Sequence, residues 1–227
     1  MVCHRHVAVA RRMLSIRKGN AFTVIELLIL IVITLLVACV LFPSLVYQKR
    51  RAKVRACTNN LKQVGVAFRV WPAELDRYPA GTDVIYGGAR EEVEKGHVYF
   101  NFLVMSNELN APKILVCPTD DGKTIAAKFN SSFNDANVSY FVGADAQDTF
   151  PQMFLTGDRN LAFESKTLEP GLFIWNSNKS ALSWTTTIHN TCGNVGLADG
   201  SVQSLESKKL ATAARSQDCA TNRLAIP

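Results

Sequence analysis

The sequence predicts an α+β protein in which one long N-terminal helix packs on a small antiparallel sheet. Three observations predict this class: an apolar run from Phe22 to Phe42, an amphipathic stretch after Pro43, and short β-rich segments in the rest of the chain. A helix and one face of an antiparallel sheet can bury their apolar sides against each other. The 227 residues are enough for one sizeable domain, or for a small domain with an appendage.

The positive charge of the chain is concentrated at its N-terminus. The formal net charge is +6, and the first 21 residues supply +5 of it, since they hold five Arg and Lys residues and no acid. The rest of the chain carries only +1, so the basic pI is no argument for a nucleic-acid partner. A basic region before an apolar run is typical of segments presented to the export machinery.

The apolar run has the length of a membrane-spanning helix. Its 21 residues, 22–42, rise about 31 Å, against about 30 Å for a hydrocarbon core. The run is longer than the roughly 7 to 15 apolar residues of a cleaved signal peptide, and no small-residue cleavage site follows it. We therefore expect residues 22–42 to be the transmembrane half of the N-terminal helix.

Residues 43–76 are predicted to be the amphipathic half of the same helix. Pro43 removes one backbone donor and bends the helix without ending the apolar period. Apolar residues recur at intervals of three and four, namely Val54, Cys57, Leu61, Val64, Phe68 and Trp71. This stripe either lies along a globular domain or forms a coiled-coil seam.

Glu26 is the one acidic residue in the apolar run. A carboxylate within a membrane span costs about 2.5 to 3.5 kcal/mol on insertion scales, so Glu26 is a functional candidate. A cut before Phe22 would create an α-amino group four residues away, able to neutralise the carboxylate within one chain or between subunits. The alternative is an acid near the membrane surface.

Residues 21–43, "AFTVIELLILIVITLLVACVLFP", resemble the N-terminal signal of type IV prepilins and type II secretion pseudopilins. The resemblance implies that a prepilin peptidase cleaves between Ala21 and Phe22 and that Phe22 is N-methylated. Glu26 would then be the fifth residue of the mature chain, which in this family pairs with the N-terminus of the adjacent subunit during filament assembly.

The leader, residues 1–21, departs from the family in two ways. Ala21 stands where the family usually has Gly, and a cut after Gly19 would shift Glu26 out of register. The leader is also long, and a start at Met13 would make it more typical.

The resemblance continues to about Leu205. Five segments are similar, in order, to a group of prepilin-like proteins with a His-x9-Asp-Gly motif, here His189, Asp199 and Gly200. The segments are "RRAKVRACTNNLKQVGVAFRVW", "PKILVCPTDDGK", "NVSYFVGADA", "LTGDRN" and "HNTCGNVGLADGSVQSL".

The resemblance also implies a fold, a location and partners. It implies a pilin-like fold and a single-pass protein of the bacterial inner membrane, with its headpiece in the periplasm. The partners would be prepilin peptidase, other pseudopilins and an inner-membrane assembly platform, and the product a homo- or hetero-oligomeric filament.

Residues 77–227 are predicted to form a β-rich globular headpiece. Short runs of β-branched and aromatic residues are separated by Gly, Pro, Asn and Asp, which is typical of antiparallel strands. These runs are 97–104, 113–118, 138–144, 152–157, 172–176 and 195–205. Asp199-Gly200 within the last run predicts a tight hairpin, with His189 bracing the loop that enters it.

The sequence contains few residues whose spacing is typical of a catalytic or metal-binding site. His189 with Cys192 and a distant acid would suit zinc or a Cys-His nucleophile, but no Cys-x-x-Cys pair or second histidine lies nearby. The Asp residues lie in turn-like contexts and lack the Asp-x-Asp-x-Asp spacing of calcium-binding loops. A calcium site therefore stays an alternative that the spacing does not support. We therefore predict no catalytic residue, no metal and no other cofactor.

The six cysteines differ in context. Cys3 would leave with the leader, and Cys39 lies in the apolar run. The other four allow three disulfide pairings in an oxidising exterior, of which Cys192 with Cys219 is favoured. They are Cys57, Cys117, Cys192 and Cys219.

The sequence therefore predicts a structural pseudopilin or minor pilin rather than an enzyme. The alternatives are a membrane-anchored extracytoplasmic binding protein or enzyme, and a DNA-uptake pilin. From Gln63 onward there are 14 basic and 18 acidic residues, so the head is mildly acidic and a nucleic-acid partner is not expected.

Overall fold

The computed structural model describes residues 23–71, 77–176, 181–217, 219 and 221–227. The chain divides into two compact units, Met1–Tyr47 and Gln48–Pro227. The latter is called the C-terminal unit below. The predicted leader and the cleavage site at Ala21 and Phe22 lie outside the described residues.

Helix α1 runs from Val24 to Val70. Thr23 precedes it, and its hydroxyl and carbonyl oxygens both accept from the backbone N–H of Glu26, at 3.4 and 3.1 Å. Thr-x-x-Glu is a sequence pattern typical of helix N-termini, where the hydroxyl satisfies a backbone donor that has no partner within the helix. The sequence near Thr23 therefore fixes where the helix begins.

The prediction of a transmembrane half is wrong. Among the described residues, no helix is both long and apolar enough to cross a membrane. This finding overturns the pilin-like fold class with a long apolar helix over 22–42, and the single-pass inner-membrane location. The α+β class is found.

The amphipathic stripe of α1 is confirmed within the C-terminal unit from Cys57 onward, whereas Val54, the first residue of the predicted stripe, is only half-buried. Its residues from Cys57 to Trp71 are at most 8 % exposed, whereas Val66 on another face is exposed. The stripe shares one hydrophobic core with Tyr140 and Leu155 of the sheet. The helix therefore covers a sheet face, and the coiled-coil alternative is not needed to explain the apolar spacing.

Nine strands in the described residues form two antiparallel sheets. The larger has the order β5-β9-β1-β2-β7-β8 and the smaller β4-β3-β6. The strands are β1 (Tyr140–Gly143), β2 (Phe154–Asp158), β3 (Leu161–Phe163), β4 (Lys166–Thr167), β5 (Gly171–Asn176), β6 (Leu182–Trp184), β7 (Cys192–Leu197), β8 (Val202–Glu206) and β9 (Thr221–Ile226).

Both faces of the larger sheet are buried. Side chains alternate along β1, so that Tyr140 and Val142 belong to the core under α1 while Phe141 belongs to a second core. The second core also contains Trp184 of the smaller sheet and Leu210. Leu210 lies on helix α5, Ser207–Arg215.

Three further α-helices and several short 3-10 helices precede β1. The α-helices are α2 (Arg90–Glu94), α3 (Val98–Val104) and α4 (Ser106–Leu109). The 3-10 helices are Pro79–Gly81, Val84–Tyr86, Pro112–Leu115 and Asp135–Asn137.

Four of the six predicted β-rich runs contain strands and two do not. Run 97–104 is helix α3, and run 113–118 contains the end of a 3-10 helix. In the first case the buried residues Val98, Phe102 and Met105 recur at helical spacing, so packing outweighs β-propensity. Strand β9 was not predicted, although it lies between β5 and β1 inside the larger sheet.

Candidate functional site

Four side chains of the type that bind metals meet inside the C-terminal unit. They come from α1 (Cys57), from the loop after a 3-10 helix (Cys117), from the last position of β2 (Asp158), and from the loop before β7 (His189). Their ligand atoms all lie within 4.8 Å of one another. Each side chain is at most 2 % exposed. We call this group the buried cluster.

The contacts within the buried cluster are at hydrogen-bond distance. The Cys57 thiol donates to Asp158 Oδ1 at 3.1 Å. The Cys117 sulfur lies 3.3 Å from His189 Nε2, which also lies 3.3 Å from Asp158 Oδ2. His189 Nε2 thus faces a sulfur and a carboxylate oxygen together.

Asn194 of strand β7 holds the Asp158 carboxylate in place. Its backbone N–H and its side-chain amide both donate to Asp158 Oδ2, at 2.7 and 2.9 Å. The amide oxygen of Asn194 accepts from Thr58 at 3.0 Å and from Ser204 at 2.6 Å. Because Oδ2 receives both donors, Oδ1 is the carboxylate oxygen left to face Cys57.

Thr119 contacts two members of the buried cluster from the other side. Its hydroxyl lies 3.3 Å from His189 Nδ1 and 3.1 Å from the Cys117 sulfur. Tyr140, fully buried on β1, places its hydroxyl 3.5 Å from the Cys57 sulfur. The surrounding hydroxyls and amides therefore orient the ring, the carboxylate and the thiols.

An ion pair fixes the loop that carries Cys117. Arg159 donates to both carboxylate oxygens of Asp120, from Nε and Nη2, each at 2.8 Å. Burial would raise the pKa of Asp120, but the paired guanidinium outweighs it and the pKa lies below its ordinary value. Arg159 follows Asp158 directly in the sequence. These two adjacent residues therefore both anchor the loop that carries Cys117 and supply one member of the buried cluster.

The thiols of the buried cluster have opposite pKa shifts. The neighbouring Cys57 thiol lowers the pKa of Cys117 to about 6, against the effect of burial and with help from His189. The pKa of Cys57 is raised by the neighbouring Cys117 sulfur, by burial and by the Asp158 charge. Of the two thiols, Cys117 is therefore the one that ionises readily.

His189 carries the complementary charge. Burial lowers the pKa of the imidazole, but hydrogen bonds to Asp158 and to Cys117 have the larger combined effect and raise it to about 10. The directions of the two pKa shifts therefore favour a Cys117 thiolate beside a His189 imidazolium.

The donor set suits a soft metal ion better than it suits catalysis by a nucleophile. Thiolates, an imidazole and a carboxylate are the ligands of zinc sites in proteins. A nucleophilic cysteine must be reached by its substrate, and Cys117 is 1 % exposed. Among the described residues this is the one group of three or more such ligands found close together.

The His-x9-Asp-Gly motif is divided between two places. The carboxylate beside His189 is that of Asp158, whereas the Asp199 carboxylate accepts from the backbone N–H of Ser201 at 2.8 Å. The Asp199 carbonyl accepts from Arg69 of α1 at 2.5 Å. His189 therefore lies in the buried cluster, while Asp199 belongs to a turn.

The predicted hairpin around Gly200 is confirmed. Gly200 has φ +83°, and its N–H donates to Leu197 O at 2.9 Å. Leu197 N–H in turn donates to Ser201 O at 2.9 Å, which leaves a three-residue loop between β7 and β8. In such loops the last residue is left-handed, the conformation that favours glycine.

The favoured disulfide is not formed. Cys192 is a free thiol at the start of β7, so it is not bonded to Cys219. The expectations of no metal and no catalytic residue stay predictions, since the structure carries no ligands.

Spacing along the sequence missed Cys57, Cys117 and Asp158 as a group. Each of the five segments singled out by the family resemblance supplies a residue at or beside the buried cluster. These residues are Cys57, Cys117, Tyr140, Asp158 and His189. The occurrence of one such residue in each of the five segments is the feature of the sequence that points to the site.

A second candidate region is the N-terminal segment, defined as Val24–Val37. It holds twelve large apolar side chains that are 47 to 77 % exposed. They occupy every face of the helix, because they run almost without interruption along it. Glu26 is its one charged residue and lies in the first helical turn, where a negative charge is favoured by the helix dipole.

Comparisons of this chain with protein-family models, with curated proteins and with solved structures gave no match. The resemblance to prepilins therefore rests on the quoted residues themselves.

Proposed function

We propose that the chain is a structural subunit of a pilin-type filament, in which copies pack together through their N-terminal segments. The observation that carries the proposal is the exposure of the N-terminal segment, whose twelve large apolar side chains are 47 to 77 % exposed in the single chain. A contiguous apolar surface of this kind marks an interaction site.

Further copies of the same segment are the occupant that fits this surface. A helix that is apolar on all sides is normally buried on all sides. A neighbour that contacts one face leaves the others open, so contact continues to further copies and produces a filament rather than a closed dimer. The segment has no second charged residue that would oppose such packing.

Glu26 has a role in a single chain and a further one in the filament. In the single chain its backbone N–H is capped by Thr23, and its charge favours the helix N-terminus. In the filament its carboxylate would be removed from water. A cut between Ala21 and Phe22 would supply an ammonium group on a neighbouring copy to neutralise it.

The proposal includes partners of three kinds. A prepilin peptidase would make the cut and N-methylate Phe22, other pseudopilin-type subunits would join the filament, and an assembly platform would add subunits. These follow from the family resemblance of residues 21–43.

The test compares two variants of the full chain, expressed together with a prepilin peptidase. Glu26→Gln removes the charge but keeps a side chain able to cap the helix, so the helix should remain while cross-linked multimers fall at least about tenfold, since the ammonium loses its partner. The matched control is Thr34→Val, which removes a hydroxyl bonded only to Ile31 O one turn earlier. This control should assemble normally.

Two results would overturn the proposal. One is a wild-type chain that stays monomeric after processing. The other is a mature N-terminus, read by mass spectrometry, at any residue except methylated Phe22. If Glu26→Gln assembles like the wild type, the charge pairing is wrong even though the filament stands.

A further inference from the structure

We propose that the buried cluster is a structural zinc site, with Cys57, Cys117, Asp158 and His189 as its four ligands. The site lies in the C-terminal unit and does not depend on filament assembly. It would add a cross-link through Cys57 and Cys117, for which the sequence favoured no disulfide.

The donor atoms lie near the spacing that four ligands have around one zinc ion. Zinc binds sulfur at about 2.3 Å and nitrogen or oxygen at about 2.0 Å, which places neighbouring ligands about 3.3 to 3.8 Å apart. In the buried cluster the Cys57 sulfur lies 3.1 Å from Asp158 Oδ1 and the Cys117 sulfur lies 3.3 Å from His189 Nε2. One ligand atom from each of the four residues lies within 4.8 Å of the others. Small side-chain movements would therefore bring four ligands around one ion.

The ligand types select the metal. Thiolates favour zinc over calcium and magnesium, which prefer sets made of oxygen atoms. Four protein ligands fill the coordination sphere of zinc and leave no position for water or substrate. Since the side chains are also almost fully buried, the site is structural rather than catalytic.

The neighbouring groups hold the ligands in the orientation that zinc requires. Thr119 lies beside Nδ1 of His189, so a proton on Nδ1 can be donated to its hydroxyl and Nε2 faces the other ligands. Asn194 occupies Oδ2 of Asp158 with two donors and leaves Oδ1 toward Cys57. Such contacts fix the tautomer of a ligating histidine and orient a ligating carboxylate.

Zinc would also offset most of the negative charge of its ligands. Binding releases the Cys57 thiol proton and the His189 imidazolium proton, so two thiolates and the Asp158 carboxylate surround a doubly charged ion beside a neutral His189, and one net negative charge remains. A buried carboxylate and thiolate are costly unless paired, and the ion pairs with both at once.

The zinc site would tie together distant parts of the chain. Its ligands are separated by 60, 41 and 31 residues along the sequence. Metal that binds only the folded chain stabilises it by mass action. The site would thus join α1, β2 and the loops carrying the other two ligands.

The first measurement uses the full wild-type chain, purified in detergent under reducing conditions and supplied with zinc. Elemental analysis should find about one zinc per chain. X-ray absorption should show two sulfur neighbours at about 2.3 Å and two nitrogen or oxygen neighbours at about 2.0 Å. Cobalt(II) in place of zinc should give thiolate charge-transfer bands and the intense visible bands of a tetrahedral site.

The second measurement uses matched serine variants. Cys117→Ser should lose at least about tenfold in zinc affinity, since the loss of a group that only supports a ligand already costs about 10- to 100-fold. Cys192→Ser is the control, since Cys192 is a free cysteine outside the buried cluster and should keep its zinc. If Cys117→Ser does not fold, the wild-type absorption spectrum still decides the question.

Several outcomes would overturn the proposal. These are a folded, reduced wild-type chain that binds no zinc, bound zinc with only oxygen and nitrogen neighbours, and zinc lost equally in Cys192→Ser. A Cys57–Cys117 disulfide found by mass spectrometry in metal-free native protein would also overturn it, because those sulfurs would be used in a covalent bond.

Discussion

The N-terminal segment exposes apolar side chains on every face of α1, whereas the C-terminal unit buries two cysteines, a histidine and an aspartate among apolar neighbours. The first arrangement is costly in water and is relieved by contact with further copies. The second is costly inside a protein and is relieved by hydrogen bonds, ion pairing or a metal. Each region is thus incomplete without a partner, and the chemistry of the partner differs.

The same helix shows that exposure is decided by neighbours and not by residue type. Leu30 in the N-terminal segment is 48 % exposed, whereas Leu61 in the C-terminal unit is fully buried. Only the second leucine lies beside a sheet. The two regions should therefore respond in opposite ways to mutation.

The largest effect is expected from truncation. A chain that begins at Gln48 should fold cooperatively, with an unchanged melting midpoint, because it keeps the whole buried stripe of α1. A chain that begins at Pro72 should aggregate, because it loses six buried side chains, the larger of which contribute roughly 1.5 to 3 kcal/mol each. Circular dichroism and size-exclusion chromatography distinguish the two, and equal solubility would show that α1 is not part of the core.

A single substitution sharpens the contrast within α1. Leu61→Ala should lower the free energy of unfolding of the C-terminal unit by about 2 to 5 kcal/mol, because it leaves a cavity against the sheet. Leu30→Ala, the matched control, should change it by less than about 0.5 kcal/mol in the monomer. Urea denaturation measures both, and similar losses in the two variants would contradict the difference in burial.

The smallest expected effect is at the β7–β8 turn. Gly200→Ala should cost about 1 kcal/mol, because the position has φ +83° and the added Cβ would meet Arg69 Cδ at 2.9 Å. Gly81→Ala is the control, since its nearest non-neighbouring atom would be 3.7 Å away and its φ is not positive. Thermal unfolding of both variants is the measurement, and a greater loss in the control would exclude this account of the turn.

Local patterns predicted local structure well. The stripe through Leu61 and Phe68 was predicted from spacing, and the Gly200 turn from its Asp-Gly pair, because both depend on a few neighbouring residues. Segment 97–104 was mispredicted because its β-branched and aromatic residues favour a strand, while its buried positions fit a helix. The decision there came from packing partners elsewhere in the chain.

The sequence by itself determined the apolar N-terminal segment with its one acid, the buried face of α1 and the β7–β8 hairpin, since each is encoded within a few consecutive turns or residues. Only the tertiary structure decided that Cys57, Cys117, Asp158 and His189 meet, and that β9 lies inside the sheet. Those ligands are 31 to 60 residues apart. No local interaction specifies such an encounter, because it exists only once the helix and the sheet have packed and the intervening loops have closed.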